Sequence, residues 1–203
     1  MEFAEVVRRR RMVRNYDPDR PVSDELIDRL LDCAIRAPSA GFSQGWGFLV
    51  LTEPDDRARF WTATTPEDER DEPDPWLLGL QRAPVLIVAL SNKSIYLDRY
   101  AAEDKGWTDR DESRWPVPYW DIDTGFAALM MMLAAVDNDL ATCFFGIPPE
   151  QTATFRATFD VPSEYTPIGA LSVGYPAADR RSPSLKRGRR PLTEVVHRGR
   201  WRR

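Results

Sequence analysis

Arginine side chains crowd the two ends of this 203-residue chain, and they are the strongest candidates for binding chemistry. Residues 1–20 contain six arginines against four acids, and residues 180–203 contain ten lysines and arginines against one acid. The interior, residues 21–179, has 12 bases and 27 acids. Guanidinium groups bind phosphate through short, charge-assisted hydrogen bonds. The pattern therefore predicts an anionic ligand where the two ends meet.

The overall charge limits what that anion can be. A net charge of −4 and a pI near 5.2 argue against a protein that binds duplex nucleic acid, because such proteins present a broad basic face. A basic-tailed nucleic-acid binder is therefore the least favoured hypothesis. A compact ligand that carries a phosphate fits the composition better.

Cysteine and histidine usage excludes several classes of site. Cys33 and Cys143 have no CxxC spacing, and no signal peptide is recognised ahead of them, so we expect a cytoplasmic protein. Cys143 is expected to be a small buried residue and not a nucleophile. His197 is the only histidine, which excludes His-rich zinc sites and histidine triads. No apolar run approaches the roughly 20 residues that span a bilayer, so no membrane partner is expected.

Apolar periodicity predicts interleaved helices and strands, which must position the charged ends. The first helix begins near Phe3 and runs into the arginines, and the second follows Ser23 as N-cap and stops before Pro38. The remaining predicted elements are strands at 47–52, 84–90, 140–145 and 168–174, and helices at 122–136 and 149–159. This alternation favours an α/β or α+β sandwich in one domain spanning residues 1–203, with a C-terminal tail.

Residues 91–120 form a lid-like insertion without clear periodicity. Tyrosines and tryptophans are mixed there with charges and prolines. These rings are candidates for stacking on a planar ligand, or for ordinary packing and subunit contacts.

Four sequence blocks, in order along the chain, carry a resemblance to a known family. They are Arg10-Arg11-Met12-Val13-Arg14, Ala37-Pro38-Ser39 through Trp46, Leu140 to Gly146, and the basic block from Lys186 to Val196. Together they resemble the nitroreductase family of FMN-dependent oxidoreductases. The resemblance implies an α+β three-layer sandwich, with a central mixed, mainly antiparallel sheet flanked by helices, in an intertwined homodimer.

The resemblance also implies the residues that bind the cofactor FMN. Arginines from both ends would hold its phosphate, the turn after the second helix would meet its ring or ribityl chain, and backbone amides after the third strand would lie near flavin N5. The residues are Arg10, Arg11, Met12, Arg14, Pro38, Ser39, Phe144, Phe145, Gly146, Arg187 and Arg189. Their plainer alternatives are solvated helix faces, helix termination and a hydrophobic strand end. The outermost arginines Arg8, Arg9, Arg200, Arg202 and Arg203 are assigned to solvated faces.

This chain departs from the family pattern at three places. Phe42 stands where the family often has Asn, and Gly45 where it often has Pro. Many members also carry an Asn and a Lys near flavin O2 and N1, where this chain has Pro75-Trp76-Leu77-Leu78. Gln81, Arg82 or a residue of the 91–120 segment is a candidate to replace that cation.

The resulting hypothesis is an oxidoreductase in which NAD(P)H gives hydride to flavin N5 and an electron-poor acceptor, such as a nitroaromatic, a quinone or a related conjugated compound, takes the electrons. No catalytic side chain is required, because the flavin carries the chemistry and the protein positions it. The alternative is a flavin-binding or sequestering protein with little turnover. The partners expected are a second copy of the chain, NAD(P)H and a small acceptor.

Overall fold

The computed structural model describes residues 1–179 and 182–201, so the predicted solvated arginines Arg202 and Arg203 lie outside the described residues. The strands are β1 Trp46–Leu51, β2 Val85–Asn92, β3 Ala141–Phe145 and β4 Tyr165–Gly174. The helices are α1 Phe3–Arg9, α2 Asp24–Ala34, α3 Pro54–Thr64, α4 Glu67–Asp71, α5 Pro75–Gln81, α6 Lys93–Ala101, α7 Tyr119–Asp137, α8 Thr152–Thr158 and α9 Leu192–Val195.

The four strands form one sheet in the order β1-β2-β4-β3, and every pairing between them is antiparallel. A single parallel bridge joins Met12 to Thr142 at the β3 edge. β1 and β3 are thus the two edges of the sheet. Residues that follow β3 and residues that precede β1 lie on opposite sides of the fold.

Side chains of β2 alternate between two cores, which gives the sandwich three layers. Val85, Ile87 and Ala89 pack with α2 and α7 on one face. The intervening residues pack on the other face with α3, α5 and α8, and they are Leu86, Val88 and Leu90. The strand is buried along its whole length, as a central strand covered on both faces should be. The predicted three-layer α+β sandwich is confirmed.

Local signals explain where the helices begin. Ser23 caps α2, its hydroxyl accepting from the Leu26 N–H, as predicted. Helices α3 and α5, which were not predicted, each begin with proline in the first turn, and Asp74 caps α5. Proline suits this position because the first N–H groups of a helix have no partner within it.

Helix α7 is the long apolar helix against the sheet. It meets the length and composition for crossing a bilayer, contrary to the expectation from sequence, and 44% of the apolar window is buried. One face packs against α2 and the sheet through residues such as Ala128, Met131 and Ala135. Packing in the core accounts for the apolar character of that face.

The aromatic segment 91–120 is packed on itself and on the turn before β1. The Trp115 ring lies 4.7 Å from Tyr100 and 6.0 Å from Trp120, between ring centroids. Arg99 binds Asp104 with two hydrogen bonds and donates from Nε to the Gly41 carbonyl at 2.9 Å. These contacts support the interpretation of the rings as packing residues.

Candidate functional site

Arginines from both ends of the chain line one cavity of about 590 Å³, referred to here as the basic cavity. The N-terminal segment supplies Arg10, Arg11, Met12 and Arg14, and the C-terminal segment supplies Arg189. The other lining residues are Asp179, Ser182, Ser184, Leu185 and Gly188. The structure therefore brings the two charged ends together. Arg187 is exposed and does not line this cavity.

The arginine side chains of the basic cavity have no acidic partner among the described residues, unlike many other arginines of this acidic chain. Within the part of the chain that the structure describes, ion pairs hold Arg8, Arg9, Arg36, Arg59, Arg99, Arg110, Arg114 and Arg190. Among the same residues, Arg10, Arg11, Arg14, Arg187 and Arg189 form none. Unpaired guanidinium groups around a cavity are suited to a dianionic phosphate.

Backbone hydrogen bonds fix the arginine segment to the edge of the sheet. The Val13 N–H donates to the Thr142 carbonyl at 3.0 Å, and the Tyr16 hydroxyl donates to the Val13 carbonyl at 2.7 Å. Tyr16 is fully buried, and burial raises the pKa of its hydroxyl far above the ordinary value. The hydroxyl stays protonated and can keep donating. The segment is thus held rigidly beside β3.

The end of β3 offers backbone amides, and its two phenylalanine side chains are half-buried. The Phe144 ring lies against Gly169, where a β-carbon would overlap it, and the Phe145 ring stacks on Trp61 at 5.5 Å between centroids. The two side chains face opposite cores, so they support the strand end and do not reach into the cavity.

The amide of Gly146 is available to a ligand. The Phe144 N–H points out of the β3 edge to the Met12 sulfur at 3.5 Å. Gly146 follows the last residue of β3, and extending the alternation of strand amides by one residue directs its N–H to the same side. Within the described residues it has no hydrogen-bond partner, and the space beside its α-carbon is open.

Pro38 and Ser39 lie away from the basic cavity. They precede β1, which is separated from β3 by β2 and β4, about 14 Å at the usual strand spacing. The Ser39 hydroxyl accepts from the Gln44 N–H at 3.0 Å, and its carbonyl accepts from the Phe42 N–H at 2.9 Å. One copy of the chain thus does not bring this turn to the arginines.

A buried carboxylate anchors the same turn. Asp123 on α7 accepts from the Ala40 N–H at 2.8 Å and from the Tyr96 hydroxyl at 2.9 Å. Burial is the main cause that raises the pKa of Tyr96 far above its ordinary value, and the bond to Asp123 adds to it. Gly45 lies so close to Tyr96 that a side chain there would overlap the ring, which explains the departure from proline.

A second cavity of about 630 Å³ adjoins the first, and sequence reasoning did not foresee it. It shares Arg14, Asp179 and Ser182 with the basic cavity. Its other walls come from Asn15, Pro75, Trp76, Leu78, Gly79, Arg82, Ala178 and Pro183. Only the glycine within the apolar run of α5 hinted at a close approach there.

Cys143 does not take part in the site. It is buried, and burial raises the pKa of its thiol to about 11. A thiol with this pKa is protonated at neutral pH and is a poor nucleophile. The prediction of a small buried residue is confirmed.

Comparison with known proteins places these features in context. The model of the nitroreductase family matches residues 7–175. A candidate NADH dehydrogenase/NAD(P)H nitroreductase of Methanothermobacter thermautotrophicus is 28% identical, covering 87% of this chain and 78% of its own length. The 5,6-dimethylbenzimidazole synthase of Rhodospirillum rubrum is also 28% identical, covering 88% of this chain and 83% of its own.

Solved structures share the fold over the full length. A protein of Desulfovibrio desulfuricans crystallised in complex with FMN superimposes with a TM-score of 0.70 and is 25% identical. The match covers 100% of this chain and 99% of that one.

Proposed function

Because this chain belongs to the nitroreductase family, we propose that it binds FMN and transfers hydride from NAD(P)H to an electron-poor acceptor. The acceptor class is a nitroaromatic, a quinone or a related conjugated compound. The family's flavin-bound relative and the name of the archaeal relative support the cofactor and the donor. The activity is thus that of a flavin oxidoreductase.

The basic cavity is the single observation that carries this proposal. Its unpaired arginines and the hydroxyls of Ser182 and Ser184 are the donors that a phosphate monoester requires. Its volume of about 590 Å³ is within the range of small-molecule sites. The residues present therefore fit the phosphate end of FMN.

Bound FMN supplies the hydride chemistry at its N5 atom. The chain orients the cofactor by binding its phosphate with Arg10, Arg11 and Arg189. The open Gly146 N–H is a preorganised donor for a ring atom that gains and loses charge. Phe144 and Phe145 keep that amide in place by packing into the two cores.

We further propose that the active form is a homodimer. Helix α7 exposes an apolar stripe at positions four and three residues apart, with Ile122 at 36%, Phe126 at 43% and Leu129 at 44% exposed. The tail after residue 182 exposes Leu185, Leu192 and Trp201, the last at 78%. A second copy would cover these surfaces, and its 38–39 turn could reach the cofactor bound to the first.

One observation favours the alternative of flavin binding with little turnover. The 75–78 stretch carries no lysine or asparagine, and Trp76 and Leu78 line the second cavity instead. This wall of the site would therefore add no positive charge to stabilise the reduced cofactor.

Steady-state turnover separates the two functions. The FMN-loaded protein is supplied with NADH or NADPH and a panel of quinones and nitroaromatics, and nicotinamide oxidation is followed by absorbance. An oxidoreductase consumes nicotinamide in step with acceptor. Tight FMN binding without acceptor-dependent consumption would favour the binding protein, and failure to bind FMN would exclude both.

A further inference from the structure

A third cavity, of about 400 Å³, is lined by helix α3, helix α4 and the end of α5, and it is referred to here as the α3 cavity. It shares no lining residue with the basic cavity or with the second cavity. The α3 cavity is therefore separate from the site proposed for FMN. Its lining residues are Pro54, Arg57, Ala58, Trp61, Thr62, Arg70, Pro73 and Gln81.

The α3 cavity has two cations and no acid in its walls. Residues 53–74 contain nine acids and three arginines, so an acidic lining would be expected from this part of the sequence. Arg57 and Arg70 nevertheless line the cavity, and all nine acids lie outside its lining. The third arginine, Arg59, is paired with Asp56 and lines a different cavity. The surroundings of the α3 cavity thus favour an anion.

Hydrogen bonds hold the Arg57 guanidinium by one nitrogen only. Its Nη1 donates to the Thr52 carbonyl and, at 3.0 Å, to the Pro84 carbonyl. Within the described residues, Nε and Nη2 form no hydrogen bond, and the side chain has no ion pair. Burial lowers the pKa of Arg57, and the charge of Glu53 opposes that effect only in part. A bound anion would offset the cost of burying this charge.

Arg70 is the second cation, and it is free to bind a ligand. Its backbone N–H donates to the Pro66 carbonyl at 3.0 Å, which places the residue in α4. Its side chain is exposed and forms no ion pair or hydrogen bond to any other residue of 1–179 or 182–201. Two guanidinium groups that lack carboxylate partners are the usual means of binding a phosphate dianion.

The uncharged walls suit an organic group attached to that phosphate. Pro54, Pro73 and Trp61 give the cavity apolar surface, and the Gln81 side-chain amide is an additional donor. The volume is at the low end of the range for small-molecule sites, and it is larger than a free phosphate ion needs. Trp61 also stacks on Phe145, so a ligand here would contact a ring that supports the end of β3.

We propose that the α3 cavity is a second anion site, in which Arg57 and Arg70 bind the phosphate group of a small organic phosphate monoester. The two guanidinium groups supply the charge, and the apolar walls contact the organic part. This site is additional to the one proposed for FMN, and it needs no flavin.

Calorimetric titration of the FMN-saturated protein with phenyl phosphate tests the site, because FMN then fills the basic cavity. We expect one binding event, weakened about tenfold in Arg70→Met by the loss of a charge-assisted hydrogen bond. Arg70→Lys should recover part of the affinity, since it keeps the charge and loses the planar fork. Arg70 is the residue to replace because Arg57 also anchors the backbone.

Arg59→Met is the matched control for charge, because it removes a cation from α3 outside the α3 cavity. It should leave the binding of phenyl phosphate unchanged. The absence of binding at millimolar concentration, or equal affinity in Arg70→Met and Arg59→Met, would overturn the site. Inorganic phosphate should bind more weakly than phenyl phosphate, and equal affinity for the two would overturn the assignment of an ester.

A double variant separates this site from the proposed function. Replacing Arg10 and Arg189 by alanine removes two guanidinium groups of the basic cavity and should preserve the binding of phenyl phosphate. Loss of that binding would place the ligand in the basic cavity and overturn the second site. Binding that depends on Arg70 in a protein that holds no FMN would support the α3 cavity while the proposed function fails.

Discussion

The backbone N–H of Arg14 donates to the Asp179 carboxylate at 3.1 Å and joins two segments that are 165 residues apart. The Asn15 side chain donates to the Ala178 carbonyl at 2.7 Å beside it. These bonds hold the start of the C-terminal tail against the arginine segment. The basic cavity therefore forms where the two ends of the chain meet at the edge of the sheet.

The phosphate assignment predicts that replacing arginines of the basic cavity weakens FMN binding more than replacing arginines outside it. Replacing Arg10 and Arg189 by alanine should raise the FMN dissociation constant by about a hundredfold or more, because charge-assisted hydrogen bonds contribute about 1.5–3 kcal/mol each. Replacing Arg198 and Arg200, which lie outside the basic cavity, should have little effect. Fluorescence titration of FMN measures both. Equal losses of FMN affinity in the two double variants would contradict the assignment.

Gly79 should tolerate no side chain. Gly79→Ala forces α5 away from the Arg14 carbonyl, and overpacking of this kind costs about 1–3 kcal/mol in the free energy of unfolding. Leu78→Ala, at a neighbouring residue that is 48% exposed, should change it by about 0.5 kcal/mol or less. Urea denaturation of the two variants gives the comparison. Equal stability would show that the close approach is not needed.

The buried Cys143 thiol should lower the stability of the fold at alkaline pH. Its folded pKa of about 11 lies above the ordinary value of 9.0, so the folded state holds the proton longer than the unfolded state. This contribution is complete below about pH 9 and is lost as pH rises toward 11. Comparing urea denaturation at pH 8 and pH 10.5, Cys143→Ala should lose less stability than the parent. An identical pH dependence would contradict the buried thiol.

A single charged substitution on α7 should disrupt the contact between subunits. Phe126→Asp places a carboxylate in the apolar stripe and should shift the protein to monomer, with weaker FMN binding. Thr62→Asp, on an exposed position of α3 across the sheet, should leave the assembly unchanged. Sedimentation velocity distinguishes the species. A Phe126→Asp variant as dimeric as the parent would place the interface elsewhere.

Sequence patterns predicted the elements that obey local rules. Ser23 and the apolar stripe behind it specify α2, and the buried run 84–90 specifies the central strand β2. The acidic, proline-containing stretch between β1 and β2 was not assigned any helix, although it contains α4 and leads into α5. Charged residues dominate its composition, and these short helices contain too few apolar residues to show a helical period.

The site was predictable where its residues are close in sequence. The arginine run at 10–14 is one block, and Arg189 lies in the other basic block. From the sequence, Arg82 was one of several candidates and Asp179 was not considered. Both line the second cavity through the packing of α5 and the sheet edge, which no local pattern encodes. Ser39 belongs to the opposite edge, and that separation follows from strand order rather than from sequence distance.

Anaerobic rapid mixing of the FMN-loaded protein with NADH and NADPH tests the central proposal most directly. The account predicts that at least one nicotinamide bleaches the flavin absorbance at about 1 s⁻¹ or faster, the usual range of enzyme turnover. The bleached flavin should regain its colour when a quinone is added. Flavin that stays oxidised with both nicotinamides, while light-driven reduction still bleaches it, would contradict the account.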